Sequence, residues 1–184
     1  MKTLISKILL FLAVVFFTTQ TFAQKISSKK TNISFYSHTA LEDIKANNTA
    51  SVSVLDPTTG DVVLSVPMQS FEFEKELMQK HFNSSDFLDT KKEPKAKLVG
   101  KITNLKQINF KINGTYKADV SADLTIKGVT KPVSTKATIE ITGSAIHVES
   151  KFDIVLADYG IAFSKGKPST NIAKTIETMI SAEY

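Results

Sequence analysis

The chain of 184 residues contains no cysteine, no tryptophan and no arginine. Without cysteine there is no disulfide, no thiolate metal site and no thiol nucleophile. Without arginine there is no planar fork for bidentate contacts to phosphate or guanine, and the lysines are scattered rather than gathered into a stripe. Nucleic acid is therefore not expected as a partner. Histidine is scarce: His38, His81 and His147 are the whole set. None has a companion at metal-ligand spacing, and no His-Glu-x-x-His stretch occurs. There is no Gly-x-Ser-x-Gly elbow. The stretch between Gly160 and Gly166 is one residue too long for a phosphate loop, and Pro168 stands where Ser or Thr would reach a metal ion. These absences remove the common catalytic constellations, and no enzyme activity, metal or cofactor is expected.

Long apolar runs are also scarce. The one present, residues 8–17, follows Lys2 and Lys7 and precedes Thr21-Phe22-Ala23. A charged start, a short apolar run and a small-residue exit compose a secretory signal, cut between Ala23 and Gln24. The run is too short for a bilayer span, which takes about 20 residues, and no cysteine follows it to carry a lipid anchor. The expected division is a cleaved signal at residues 1–23 and one domain at 24–184, periplasmic or secreted and with no integral membrane span. Once Lys2 and Lys7 are removed, 21 lysines face 18 acids, a mild +3.

What the chain does have is a period of two. Ile146, Val148, Phe152 and Ile154 share one parity, with His147, Glu149, Lys151 and Asp153 on the other. Val133, Ala137, Ile139 and Ile141 alternate with Lys136, Thr138 and Glu140. Ile108, Phe110 and Ile112 form a similar set that continues through Tyr116, Ala118 and Val120, and Val52 and Val54 alternate with Ser51 and Ser53. Alternation of this kind marks half-buried strands of antiparallel sheets. Turn chemistry punctuates them at residues 56–61, 127–132 and 142–144. About eight strands result, as in a sandwich or barrel. One segment departs: residues 73–82 lack β-branched side chains, carry Glu74 and Glu76 at the start, and place Leu77, Met78 and Phe82 on part of one helical face. It predicts a single short helix, ended by residues 83–86. In residues 171–184, Ile172, Ile176 and Ile180 suit a helix or a strand equally, and Thr and Ile enrichment favours a strand.

The segment Gln79-Lys80-His81-Phe82-Asn83-Ser84-Ser85-Asp86-Phe87-Leu88-Asp89, then Pro94 to Leu98, resembles the YceI-like family. So does Ala122-Asp123-Leu124-Thr125-Ile126-Lys127-Gly128-Val129-Thr130-Lys131-Pro132-Val133, the more specific of the motifs. Asp158-Tyr159-Gly160-Ile161 is similar to a third family segment. The resemblance implies an all-β fold: an extended, eight-stranded, antiparallel, lipocalin-like barrel with one short helix, whose interior holds a polyisoprenoid. The family's usual Arg-Asp pair before the helix histidine reads Met78-Gln79 here, which removes a natural partner for a diphosphate. A neutral isoprenoid-type lipid or a quinone is the expected ligand, and self-association into a homodimer is left open.

The candidate lining is Phe35, Phe71, Phe73, Phe82, Phe87, Leu98, Phe110, Leu124, Ile126, Phe152 and Tyr159. His81, Lys127 and Lys131 are candidates for the polar mouth. Eight-stranded barrels are either filled by side chains or hollow. The alternative reading is therefore a filled barrel acting as a structural or interaction protein of the cell envelope or its stress response.

Overall fold

The computed structural model describes residues 25–161, 163–164, 167–168 and 170–184. The expected signal segment and its cleavage point lie outside these residues. The chain opens with β1 (Ile26–Ser27), β2 (Lys30–His38) and β3 (Asp43–Asn48), then the hairpin of β4 (Val52–Leu55) and β5 (Asp61–Pro67). A short β6 (Glu72–Phe73) leads into the helix α1 (Glu76–Asn83), and β7 (Lys95–Ile102) returns to the sheet. The long strands β8 (Gly114–Ile126), β9 (Val129–Thr142) and β10 (Ala145–Val155) form a meander. The small pair β11 (Phe163–Ser164) and β12 (Lys167–Pro168) precedes the last strand, β13 (Thr175–Glu183). Among the described residues nine strands are four or more residues long, one more than expected.

All but β11 and β12 join one antiparallel sheet, ordered β1-β4-β5-β7-β8-β9-β10-β13-β2-β3-β6. Its β1 end is tied to β2, two strands in from the other end, by a single stretch of chain. Ile26 pairs with Leu55 on β4, and Lys30, four residues on, pairs with Glu183 on β13. Between them the Ser28 N–H donates to the Ser53 carbonyl at 2.8 Å and the Lys29 N–H to the Glu183 carbonyl at 2.7 Å. The sheet thus curls into a barrel, closed at the end where β1 and β2 meet. Toward the other end, β3 and β5 are bridged by the Asn48 side chain, whose Nδ2 donates to the Pro67 carbonyl at 2.8 Å.

The closed end is filled. Ile139 and Ile141 are each 1% exposed and pack with Leu55, Ile102, Ala118 and Tyr184. Alternating large and small inner residues suit the taper of a small barrel. Each fully buried aliphatic side chain here contributes about 1.5–3 kcal/mol. A second cluster, centred on Leu64, Leu98, Leu124 and Phe82, occupies the other end.

Four sequence expectations need correction. On β4 the parity is reversed: Ser53 is 4% exposed while Val52 is 48% exposed. Hydrogen bonding decides this, because the Ser53 hydroxyl pairs with the Tyr184 hydroxyl and Ser51 donates to Asn48 Oδ1 at 2.9 Å. Leu55, on the Ser53 parity, supplies the apolar burial. Residues 108–112 are not a strand; a 3-10 turn at Leu105–Gln107 leads into a loop that leaves Ile112 57% exposed. The turn at 127–132 is only Lys127-Gly128, both at positive φ, as a two-residue primed hairpin requires. Thr130, Lys131 and Pro132 are in β9, where a proline is tolerated because residues 129–136 pair with β8 but not with β10.

The helix begins at Glu76 rather than at 73, because Glu72 and Phe73 are drawn into pairing with Asn47 and Ala46. Gln79 fixes this junction: its Nε2 donates to the Phe71 carbonyl at 2.6 Å and its Oε1 accepts the Phe73 N–H at 3.3 Å. The C-terminal segment is the strand β13, as its β-branched content favours.

Candidate functional site

The half of the barrel away from the filled end encloses a cavity of about 640 Å³. Its walls are the inward parity of successive strands: Ile33, Phe35 and Ser37 from β2, Leu124 and Ile126 from β8, and Phe152 and Ile154 from β10. β13 adds Ile176, Thr178 and Ile180. Period-two alternation therefore supplies the wall directly, since every second side chain of each strand points inward. Leu64, Leu98, Phe152 and Ile180 also border a void of about 70 Å³ inside the filled end.

An aromatic cluster seats α1 against the barrel. Phe82, 6% exposed, lies 4.9 Å from Phe73, 5.4 Å from Phe71 and 6.3 Å from Phe87, ring centre to ring centre. It also stacks on Phe35 at 5.9 Å with an interplanar angle of 17°. Offset and tilted pairs at these separations are the favoured aromatic geometries. A single helical residue thereby joins β2, β6, the residue before β6 and the loop after α1. Gln79 clamps the same helix by its backbone contacts.

Phe35, Phe71, Phe73, Phe82, Phe87, Leu98, Leu124, Ile126 and Phe152 all line the cavity. Phe110 and Tyr159 do not. Phe110 packs against the filled end, because the 3-10 turn at residues 105–107 redirects the loop that carries it. Tyr159 is 3% exposed in the 3-10 turn that follows β10, packed into the surrounding core, with its phenol pushed up from its ordinary pKa chiefly by burial.

Of the three mouth candidates only His81 lines the cavity. Lys127 sits in the β8–β9 turn, and its Nζ donates to the Phe87 carbonyl at 2.7 Å, tying that turn to the loop after α1. Lys131 lies opposite Leu124, but on a stretch of β9 that has no β10 neighbour, and it is exposed to solvent.

The polar groups that do border the cavity are others. Lys75, at the start of α1, pairs with Glu42 in the β2–β3 turn at 3.2 Å, closing a link across the rim. Ser37, 1% exposed, accepts the Ala173 N–H at 2.9 Å. Thr178 is 6% exposed and its hydroxyl has no hydrogen-bond partner, an arrangement that costs about 1–3 kcal/mol. One sequence signal marked Thr178: it falls on the apolar parity between Ile176 and Ile180. Glu42 and Lys75 left no trace, because the sequence does not show which loop meets which helix end. Among the described residues no group of three or more His, Cys, Asp or Glu is placed to hold a metal. No described helix is long and apolar enough to cross a membrane.

Comparison with known proteins places this geometry. Two UPF0312 proteins are similar in sequence, one from Pseudomonas putida at 38% identity over 56% of this chain and 51% of its own. The other, from Pseudomonas fluorescens, is 37% identical over 50% of this chain and 49% of its own. The chain thus spans about half the length of the curated relatives it matches. Among solved structures, a polyisoprenoid binding domain from Saccharophagus degradans superposes with a TM-score of 0.71 at 15% identity, covering 86% of this chain and 96% of that one. Burkholderia cenocepacia BcnA gives 0.69 at 18% identity, over 84% and 96% of the two chains. The Campylobacter jejuni YceI protein gives 0.61 at 19%, over 80% and 87%. The barrel architecture is shared with all three, and the YceI-like domain model matches residues 24–184. On that match the chain belongs to the YceI-like domain family.

Proposed function

We propose that this chain is an exported lipid-binding protein that holds a polyisoprenoid or a similar long apolar chain inside its barrel, for carriage or storage. The observation that carries the proposal is the cavity of about 640 Å³ walled by aliphatic and aromatic side chains. That volume falls within the roughly 300–1,000 Å³ of small-molecule sites. Burying one five-carbon isoprene unit there is worth about 4 kcal/mol gross, from about 0.8 per carbon. A few such units outweigh the ordering cost of binding, about 4–15 kcal/mol. The polyisoprenoid binding domain named above shares the barrel and supports the same reading. Export rests on the charged, apolar and small-residue succession of residues 1–23.

A diphosphate head is disfavoured. The described basic side chains bordering the cavity are Lys75, already paired with Glu42, and His81. A buried phosphate would go unpaired at high cost. A neutral lipid, including an isoprenoid quinone, needs no such partner.

The test is to express residues 1–184 in a bacterial host, purify the exported protein without detergent, and analyse an organic extract by mass spectrometry. A stoichiometric isoprenoid or quinone is the expected result. An extract that stays empty after incubation with isoprenoid quinones and polyprenyl lipids would overturn the proposal and favour an interaction protein with an unoccupied interior.

A further inference from the structure

Two leucines border the hollow half on its outside. Leu41, in the β2–β3 turn, is 70% exposed, and Leu77, in the first turn of α1, is 62% exposed. These are the two highest values among the large apolar side chains of the described residues. Leu77 also lines the cavity, as does the exposed Lys75 two residues before it. A side chain that lines a cavity and stands mostly in water marks where that cavity opens, so the opening lies at the start of α1. The β2–β3 turn forms its other side, because Glu42 lines the cavity and its carboxylate meets Lys75 Nζ at 3.2 Å. Leu41 immediately precedes Glu42, so the two leucines flank one opening. The turn that presents Leu41 is held in place: the Thr39 hydroxyl oxygen accepts the Leu41 N–H at 3.2 Å and the Glu42 N–H at 3.0 Å, and the hydroxyl donates to the Glu42 carbonyl at 3.1 Å.

Exposed leucines scattered over a surface are ordinary. These two stand at the entrance to an apolar interior, and Leu77 carries the cavity wall out into solvent. Apolar surface in such a place marks contact with a protein or a membrane. Two side chains fall well short of the roughly 800 Å² per partner that a stable protein interface buries. A bilayer accepts a few apolar side chains, with a strength that follows the area buried. The charges beside the leucines cancel in pairs, Glu42 with Lys75 and Glu76 with Lys80 at 2.8 Å, so this surface offers no excess cation to anionic head groups. We infer that the rim carrying Leu41 and Leu77 docks on a lipid bilayer by inserting both leucines at the boundary between head groups and acyl chains. The apolar ligand then passes between bilayer and cavity at that rim without crossing water. This inference rests on the lipid-cavity reading above.

The chain has no tryptophan, so Leu41→Trp places a lone reporter at the rim and Met179→Trp places one on the exposed face of β13. Each exported variant, freed of co-purified lipid on a hydrophobic resin, is mixed with phosphatidylcholine vesicles. At position 41 the emission should shift to the blue and be quenched by lipids brominated near the head group. At position 179 it should not change. Neither salt nor added phosphatidylglycerol should alter the shift, because no net charge drives it. Uptake of an isoprenoid quinone from the same vesicles is then followed by mass spectrometry of the re-isolated parent. Leu41→Asn leaves the cavity lining untouched and should slow uptake roughly tenfold at limiting vesicle concentration, the loss of one partly inserted leucine. Its affinity for a water-soluble benzoquinone bearing one isoprene unit should equal the parent's. Val52→Thr, at an exposed position on β4, should change neither quantity.

No shift at position 41, or the same shift at positions 41 and 179, overturns docking at the rim; the lipid cavity stands as long as the parent binds the soluble quinone. A shift that appears without vesicles and grows with protein concentration assigns the rim to a second copy of the chain and also overturns the inference. Equal uptake rates in the parent and Leu41→Asn overturn the exchange route. A parent that takes up quinone neither from vesicles nor from solution overturns the lipid-cavity reading and the exchange role together. Position 41 is exposed in a turn that Thr39 holds, so both of its variants should melt with the parent, which guards against reading a folding defect as a docking defect.

Discussion

Single residues set local limits that no neighbouring sequence pattern announces. Gly100 on β7 faces Ala122 on β8. A Cβ added at Gly100 would lie 2.3 Å from the Ala122 Cβ and 2.6 Å from the Ser121 carbonyl oxygen. Glycine is needed there because the two strands approach too closely for any side chain between them. Gly100→Ala should destabilise the domain by about 1–3 kcal/mol, the usual cost of overpacking, and a denaturant titration would measure it. No change in midpoint would mean that the strands separate freely.

Tyr184 is the second such residue. Burial at the filled end pushes its phenol above the ordinary range, only partly offset by the Ser53 hydroxyl. The unfolded chain then releases this proton first, near pH 10. The folded state holds the proton more tightly, so its contribution to stability is complete below pH 10 and is lost as pH rises toward the folded value. Stability should fall more steeply above pH 10 in the parent than in Tyr184→Phe. Melting temperatures measured between pH 8 and pH 11 would show it; parallel curves would rule it out.

At the scale of the element, α1 carries the clearest case. Its eight residues are too few to be stable alone, since isolated helices under about 12 residues are marginal in water. The Glu76–Lys80 pair, exposed on both sides, adds little. What holds the helix is Phe82 among four rings and Gln79 on the backbone of residues 71 and 73. Phe82→Ala should cost about 3–5 kcal/mol. It should also raise amide exchange across residues 76–83 well above that of β8 and β9. Protection equal to that of the long strands would show that the ring cluster is not what seats the helix. Gln79 is one of the two positions at which the chain departs from the family's Arg-Asp pair, and the structure gives it a purely local task.

At the scale of the whole molecule, the barrel divides into a filled half and a hollow half, and the two should respond oppositely to substitution. Ile139→Ala, in the filled half, leaves a void and should cost about 2–5 kcal/mol. Leu124→Phe, on the cavity wall, adds volume where space already exists. It should leave thermal stability unchanged or raise it by about 0.5–2 kcal/mol, while reducing the amount of co-purified lipid. A loss of stability at Leu124 as large as at Ile139 would mean that the interior is uniformly packed.

Much of this was legible in the chain itself. Period two across residues 133–141 and 145–154 gave strands whose inward parity is the one observed, because half-buried antiparallel strands leave that signature in any context. The alternation at 145–154 also named Phe152 and Ile154, which line the cavity. It misled on β4, where the Ser51 and Ser53 hydroxyls find partners and so take the buried face. It misled again at Ile108, Phe110 and Ile112, where alternation occurs without strand pairing and Phe110 joins the filled half. The polar mouth was read least well. Lys127 and Lys131 carry suitable chemistry but stand in a turn and on a stretch of β9 that pairs with β8 alone. The Glu42–Lys75 pair joins positions 33 residues apart.

The sequence by itself determined the strand parity, the single helix and the absence of cysteine and arginine chemistry, since these depend on side-chain type and local spacing alone. Only the tertiary structure decided where the barrel is filled and where it is hollow, because cavity volume depends on how inner faces meet across the barrel. It likewise decided that Thr178, one polar residue on an apolar face, is left without a protein partner, a property that belongs to everything around it.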